Sequence, residues 1–201
     1  MKSMTAASLL GMLIASGAGT LNAQGIYDET VQRSGSFFNL HVGSQSFTTE
    51  NASAVSGAVF GGEIGYAFGR FVSAYLGGDV GGLADDVLLV HVELGGRLNL
   101  DVARLPVPIV PYAQFAIAAL GTGTVDSDSG RAGVGFLYGG GVQYFLTPRF
   151  GIDAGFKRLS ATMKTVDTGA GTVLDSPGES SSSNRFLLGV TFYPRSSKKV
   201  Q

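Results

Sequence analysis

From Leu88 to Val102, apolar and polar side chains alternate almost without interruption. Leu88, Val90, Val92, Leu94, Leu98, Leu100 and Val102 fall on one face, while Leu89, His91, Glu93, Arg97, Asn99 and Asp101 fall on the other. A strand has a side-chain period of two, so the segment predicts a strand with one oily face and one titratable face. It is longer than the usual globular strand of ~5–6 residues. That length suits a membrane-crossing strand with lipid on one side and a polar barrel interior on the other.

Seven further segments carry the same period, giving eight predicted strands at 36–46, 57–68, 71–81, 87–102, 109–120, 132–146, 149–163 and 184–194. The outward sets include Phe38, Leu40 and Val42 in the first, Phe60, Ile64, Tyr66 and Phe68 in the second, and Val72, Leu76 and Val80 in the third. Val134, Phe136, Tyr138, Val142 and Tyr144 form the sixth set, and Phe186, Leu188, Val190 and Phe192 the eighth. The fifth strand is apolar or small on both faces; Ala113, Phe115 and Ile117 are placed outward. Connections alternate as well. Gly69-Arg70, Ala103 to Pro108 and Thr147-Pro148 are tight, with proline where no ladder donor is needed. Gln45 to Ser56, Gly81 to Asp86, Gly121 to Arg131 and Ser160 to Ser183 are longer or more polar, and the last is expected to be a mobile loop. Short turns at one end and long loops at the other are the pattern of outer-membrane barrels, and outward aromatics near the short turns predict an interfacial girdle.

Composition narrows the choice. Charged residues make up 14% of the chain and glycine 31 of 201 residues, against about 25% and about 7% in ordinary soluble domains. Past the N-terminus no apolar run reaches the ~20 residues of a spanning helix, which leaves a closed barrel as the membrane option. The net charge of −1 and the absence of a basic stripe argue against a nucleic-acid partner. Without cysteine, disulfides, thiolate metal sites and lipoprotein attachment are ruled out. Residues 1–23 read as a secretory signal peptide, with Lys2, a short apolar run and a cut after Ala23. Residues 24–35 follow as a periplasmic segment, 36–194 as the barrel, and 195–201 as a basic periplasmic tail with Arg195, Lys198 and Lys199.

The hairpin Gly62-Glu63-Ile64-Gly65-Tyr66-Ala67-Phe68-Gly69-Arg70-Phe71 resembles the small eight-stranded outer-membrane barrels of the OmpA/OmpX and opacity-protein type. Pro111-Tyr112-Ala113, the Gly139-Gly140-Gly141-Val142-Gln143-Tyr144 strand and the closing Phe186 to Phe192 add to the resemblance, which covers the chain after the signal peptide. It implies an all-β, antiparallel, up-and-down transmembrane barrel in the outer membrane of a Gram-negative-type bacterium. It further implies a role in envelope integrity or adhesion, with outer-membrane lipids and host or environmental surfaces as partners. The chain departs from the family where Tyr193-Pro194 is followed by Arg195 to Gln201 rather than ending at an aromatic.

Inward projection of the strands collects His41, Glu63, Asp79, His91, Glu93, Arg97, Asp153, Lys157 and Arg185. An eight-stranded interior is just wide enough for side chains to fill, and unpaired buried charges are costly. The expectation is a luminal plug of ion pairs and hydrogen bonds. Glu93 and Arg97 share a face but lie ~13 Å apart, so each needs a partner on another strand. A narrow ion or solute channel, gated when these pairs exchange, is the alternative.

Other chemistries have less support in the residues. His91 and Glu93 with Ser73 or Ser36 invite a Ser/His/acid arrangement, and Asp85-Asp86 resembles the acidic pairs of larger outer-membrane proteases. His41 and His91 would bind a metal only if both reached one luminal level beside a carboxylate. Gly121-Thr-Gly-Thr and Gly139-Gly-Gly have no following helix to present amides to phosphate, so no nucleotide loop is supported. The reading is therefore a non-enzymatic barrel without cofactor. A soluble lipocalin-type carrier, also eight-stranded, would instead line its cavity with the apolar face.

Overall fold

The computed structural model describes residues 34–50, 52–83, 87–100, 109–124, 129–147, 149–167, 172–173 and 178–194. Among the described residues nine strands follow one another: β1 (Ser34–Thr49), β2 (Val55–Phe68), β3 (Val72–Leu83), β4 (Val87–Asn99), β5 (Ile109–Thr124), β6 (Ser129–Thr147), β7 (Phe150–Asp167), the two-residue β8 (Thr172–Val173) and β9 (Glu179–Phe192). Each of β1 to β7 pairs antiparallel with its sequence neighbour, β9 pairs with both β7 and β1, and the sheet closes. The result is an eight-stranded up-and-down barrel, with β8 a short addition beyond the end of β7.

The register fixes the shape of the cylinder. Following partners once around from Asn39 passes through Glu63, Gly77, Glu93, Ala118, Gly135, Ala161 and Ser181, and returns to β1 at Thr49, ten residues further on. An offset of ten over eight strands inclines them by about 40° to the axis, within the usual range for such barrels. Closure leaves no edge strand, so every strand in the wall has a partner on both sides.

The alternating pattern places the side chains. Leu88, Val90, Val92, Leu94, Leu98 and Leu100 are exposed, whereas Leu89, His91, Glu93, Arg97 and Asn99 are buried. The same assignment holds on the other strands, including Ala113, Phe115 and Ile117 outward on β5. An aromatic ring of Phe38, Tyr66, Phe68, Phe71, Tyr144 and Phe192 surrounds the short-turn end. The apolar face therefore points out and the charges point in, the reverse of a lipocalin.

Several boundaries differ from the sequence reading. β7 continues to Asp167 and β9 begins at Glu179, so the serine run Ser180–Ser183 lies in a strand and not in a mobile loop. Hydroxyl side chains do not interfere with the ladder, and this run has β1 and β7 to pair with. β1 likewise reaches Thr49 and β2 starts at Val55, which shortens the expected Gln45 to Ser56 loop. The signal peptide, residues 24–33, Asp85-Asp86, Asp101 and Val102, the turn at 103–108, Pro148, the central part of the 160–183 connection and the 195–201 tail lie outside the described residues.

The interior holds the expected ion pairs, and it is also layered along the axis. At the short-turn end the rings of Phe37, Phe145 and Tyr193 gather, with Tyr193 5.7 Å from Phe37 and 6.0 Å from Phe145. Toward the loop end, Leu83, Leu89, Leu120, Leu137, Leu159 and Met163 are buried inside the wall. Charged and amide side chains occupy the belt between these layers. Period-two reasoning separates in from out, but it cannot tell how inward residues sort by height.

Candidate functional site

The belt is assembled from seven of the eight strands, with Glu63 on β2, Asp79 on β3, Glu93 and Arg97 on β4, Gln114 on β5, Asp153 and Lys157 on β7, Arg185 on β9 and His41 on β1. Each occupies an inward position of its alternating strand, and no charged member of the set is more than 6% exposed. At that depth a charge needs partners close by, among the other charges and the fixed dipoles of the interior.

Arg97 donates to Glu63 at 2.8 Å, and Lys157 donates to the other oxygen of Glu63 at 2.7 Å. Lys157 also donates to Glu93, whose second oxygen accepts from Arg185 at 2.9 Å. Arg185 donates in turn to Asp79, and Asp79 meets Nε2 of His41 at 2.5 Å. Nδ1 of His41 faces the side-chain oxygen of Asn39 at 2.8 Å, and the Asn39 amide donates to Thr191 at 2.8 Å. One chain of contacts thus links Arg97, Glu63, Lys157, Glu93, Arg185, Asp79 and His41 across six strands. Glu93 and Arg97 find their partners on other strands, as their spacing demanded.

Aromatic rings hold the cations in place. The Arg97 guanidinium lies 4.2 Å from the Tyr112 ring centroid, and the Lys157 ammonium lies 5.6 Å from that of Tyr75. Tyr112 then donates its hydroxyl to Asp153 at 2.9 Å. That hydroxyl crosses the inner faces of β6 and β7 where Gly141 and Gly155 stand; a Cβ on either would come within 2.6 Å of it. These glycines are therefore room for Tyr112, which gives a physical role to part of the glycine-rich composition.

Eight of the nine residues singled out from sequence join hydrogen bonds in this interior. His91 is the exception. It is buried at the loop side of the belt, between Asp79 and Leu120 in the register, and neither ring nitrogen has a hydrogen-bond partner among the described residues. Ser73 stands opposite Arg97, six residues from His91 along β4 and so ~20 Å away, while Ser36 is exposed at the short-turn end. The two serines considered for a triad are not beside the histidine. His41 is engaged with Asn39 and Asp79, and among the described residues no group of three His, Asp or Glu is arranged to hold a metal ion.

Sequence reasoning missed Tyr75, Tyr112 and Gln114 as members of the belt. Their inward parity was legible, but a tyrosine facing inward reads equally as packing. What gives them a role is the cation across the lumen, and that is set by the register of distant strands.

No protein-family model matches the chain, and no curated protein matches it in sequence. Solved structures do resemble it. Neisserial surface protein A superposes with a TM-score of 0.60 at 17% identity, over 79% of this chain and 97% of that one. The outer membrane protein OprG from Pseudomonas aeruginosa superposes with a TM-score of 0.52 at 10% identity, over 80% of this chain and 96% of that one. The chain has the fold of small outer-membrane β-barrels.

Proposed function

We propose that this chain is a non-enzymatic integral barrel of a bacterial outer membrane. It holds a sealed cylinder in the bilayer and acts through its loop end, in envelope integrity or in adhesion to a surface. The observation that carries the reading is the interior, where a belt of ion-paired and hydrogen-bonded side chains lies between an aromatic layer and an aliphatic layer. A lumen filled by buried side chains in this way supports a rigid, narrow interior.

The exterior supports the membrane location. Exposed Leu, Val, Ile and Phe would face water at great cost in a soluble protein, whereas acyl chains solvate them freely. The long strands support the outer role. β6 and β7, of 19 and 18 residues, run to over 40 Å along the axis at a tilt of about 40°, well beyond an apolar band of about 25 Å. Their loop ends would stand clear of the bilayer as ordered sheet, a platform on which the connections are displayed.

Planar-bilayer recording of the purified full chain tests the sealed interior. Electrical silence is expected, and discrete openings would favour the narrow channel gated by exchanging ion pairs. Cells with and without the chain, compared for detergent sensitivity and for attachment to coated surfaces, test the role itself. No difference in either would remove the structural and adhesive readings together.

A further inference from the structure

The outward face is not equally oily all the way around. On β4 every outward position from Leu100 to Leu88 is apolar or glycine, a span of about 30 Å along the axis once the strand tilt is allowed for. On β9 the apolar run extends only from Phe192 to Phe186, and on β7 only from Phe150 to Phe156, about 15 Å in each case. Above those points the outward positions become Asn184, Ser182 and Ser180 on β9, Arg158, Ser160, Thr162 and Lys164 on β7, and Ser44 on the adjoining β1. β7, β9 and β1 are neighbours in the wall, so these residues form one continuous polar wedge.

Arg158 marks the lower limit of the wedge. Among the described residues, Arg158 and Lys164 are the only charged side chains on the outward face of the strands. Neither has an ion-pair or hydrogen-bond partner within the described residues. An outward-facing arginine is costly in the middle of the hydrocarbon and nearly free at its boundary. A wall with too short an apolar height is accommodated by thinning the bilayer and by long cationic side chains reaching to the headgroups.

We infer that the outer leaflet dips where it meets β7, β9 and β1, bringing a lipid headgroup phosphate down to Arg158. The guanidinium fork suits a phosphate, and the serine hydroxyls above it supply donors to the rest of the headgroup. Lys164 stands higher on the same strand as a second cation for the same anionic surface. The opposite wall, β3 to β5, keeps full-height contact with acyl chains. The inference rests on the membrane location proposed above.

The native chain has no cysteine, so single replacements can be labelled cleanly. Ser160→Cys and Ser182→Cys lie at about the same height as Val90→Cys and Val134→Cys. In full-chain protein folded into phosphatidylcholine vesicles containing phosphatidylglycerol, a water-soluble maleimide is expected to label the first two at least tenfold faster. Equal protection at all four sites would overturn the dip, and a disulfide-linked dimer through Ser182→Cys would identify a second copy as the cover instead of lipid. Rapid labelling at all four would remove the membrane location itself. In the same vesicles, carbon–phosphorus dipolar contact from arginine-labelled protein should weaken in Arg158→Gln; unchanged contact would overturn the phosphate assignment.

Discussion

Lys157 is the residue on which the belt turns, because it alone bridges Glu63 and Glu93. Lys157→Met leaves two buried carboxylates with one cationic partner each. Removing one member of a buried pair typically costs about 3–5 kcal/mol, so urea unfolding in detergent should show a loss of that order, partly recovered when Glu93→Gln is added. Gly141→Val drives a side chain into the space of the Tyr112 hydroxyl. Overpacking of this kind costs about 1–3 kcal/mol, and the same unfolding measurement should register it. On the outer face, Val92→Arg should cost about 2–4 kcal/mol near mid-bilayer, while Asn99→Ser, facing the lumen, should be close to neutral. Equal tolerance at the two sites would reverse the assignment of inside and outside. The candidate belt was legible at this scale to the extent that parity decides it: His41, Glu63 and Arg185 read as inward from their neighbours alone. Who pairs with whom was not, since Lys157 and Glu63 are 94 residues apart.

At the scale of elements, the sequence displayed most of each strand but not its loop end. Period-two alternation needs contrast between faces, and contrast vanishes where hydroxyl residues occupy both, as in Ser180–Ser183. Those residues form strand because β1 and β7 flank them, and a partner strand is a tertiary fact. β9 is the element that converts an open sheet into a barrel. Val190 sits in its short-turn half, opposite Leu40 on one side and Ile152 on the other. Val190→Pro removes a ladder donor in a strand paired on both flanks. It should abolish the fast-migrating folded band on unboiled gels, whereas Val190→Ala should retain it.

For the whole molecule, the sheet is a wall between two solvents. In the membrane location proposed above, acyl chains dissolve the exterior, while an ionic and hydrogen-bonded network occupies the interior. The sorting of oily from titratable positions along Leu88 to Leu100 already contained that division. The layers above and below the belt were hidden, because height along the axis depends on the ten-residue offset accumulated around the barrel and no single strand records it. The same offset aligns the short apolar runs of β7 and β9 into one face, which gives the cylinder a thin side and a tall side.

Lipid contact at the outward positions tests this division most directly. Single-cysteine variants at Val42, Ile64, Val92 and Ile117, with inward Ser73 and Asn99 for comparison, can carry a fluorophore in vesicles doped with spin-labelled lipid. Strong quenching at the first four and little at the last two is the expected result. Outward labels that are shielded from lipid, or quenched only by water-soluble reagents, would contradict a barrel with its oily face turned to the membrane.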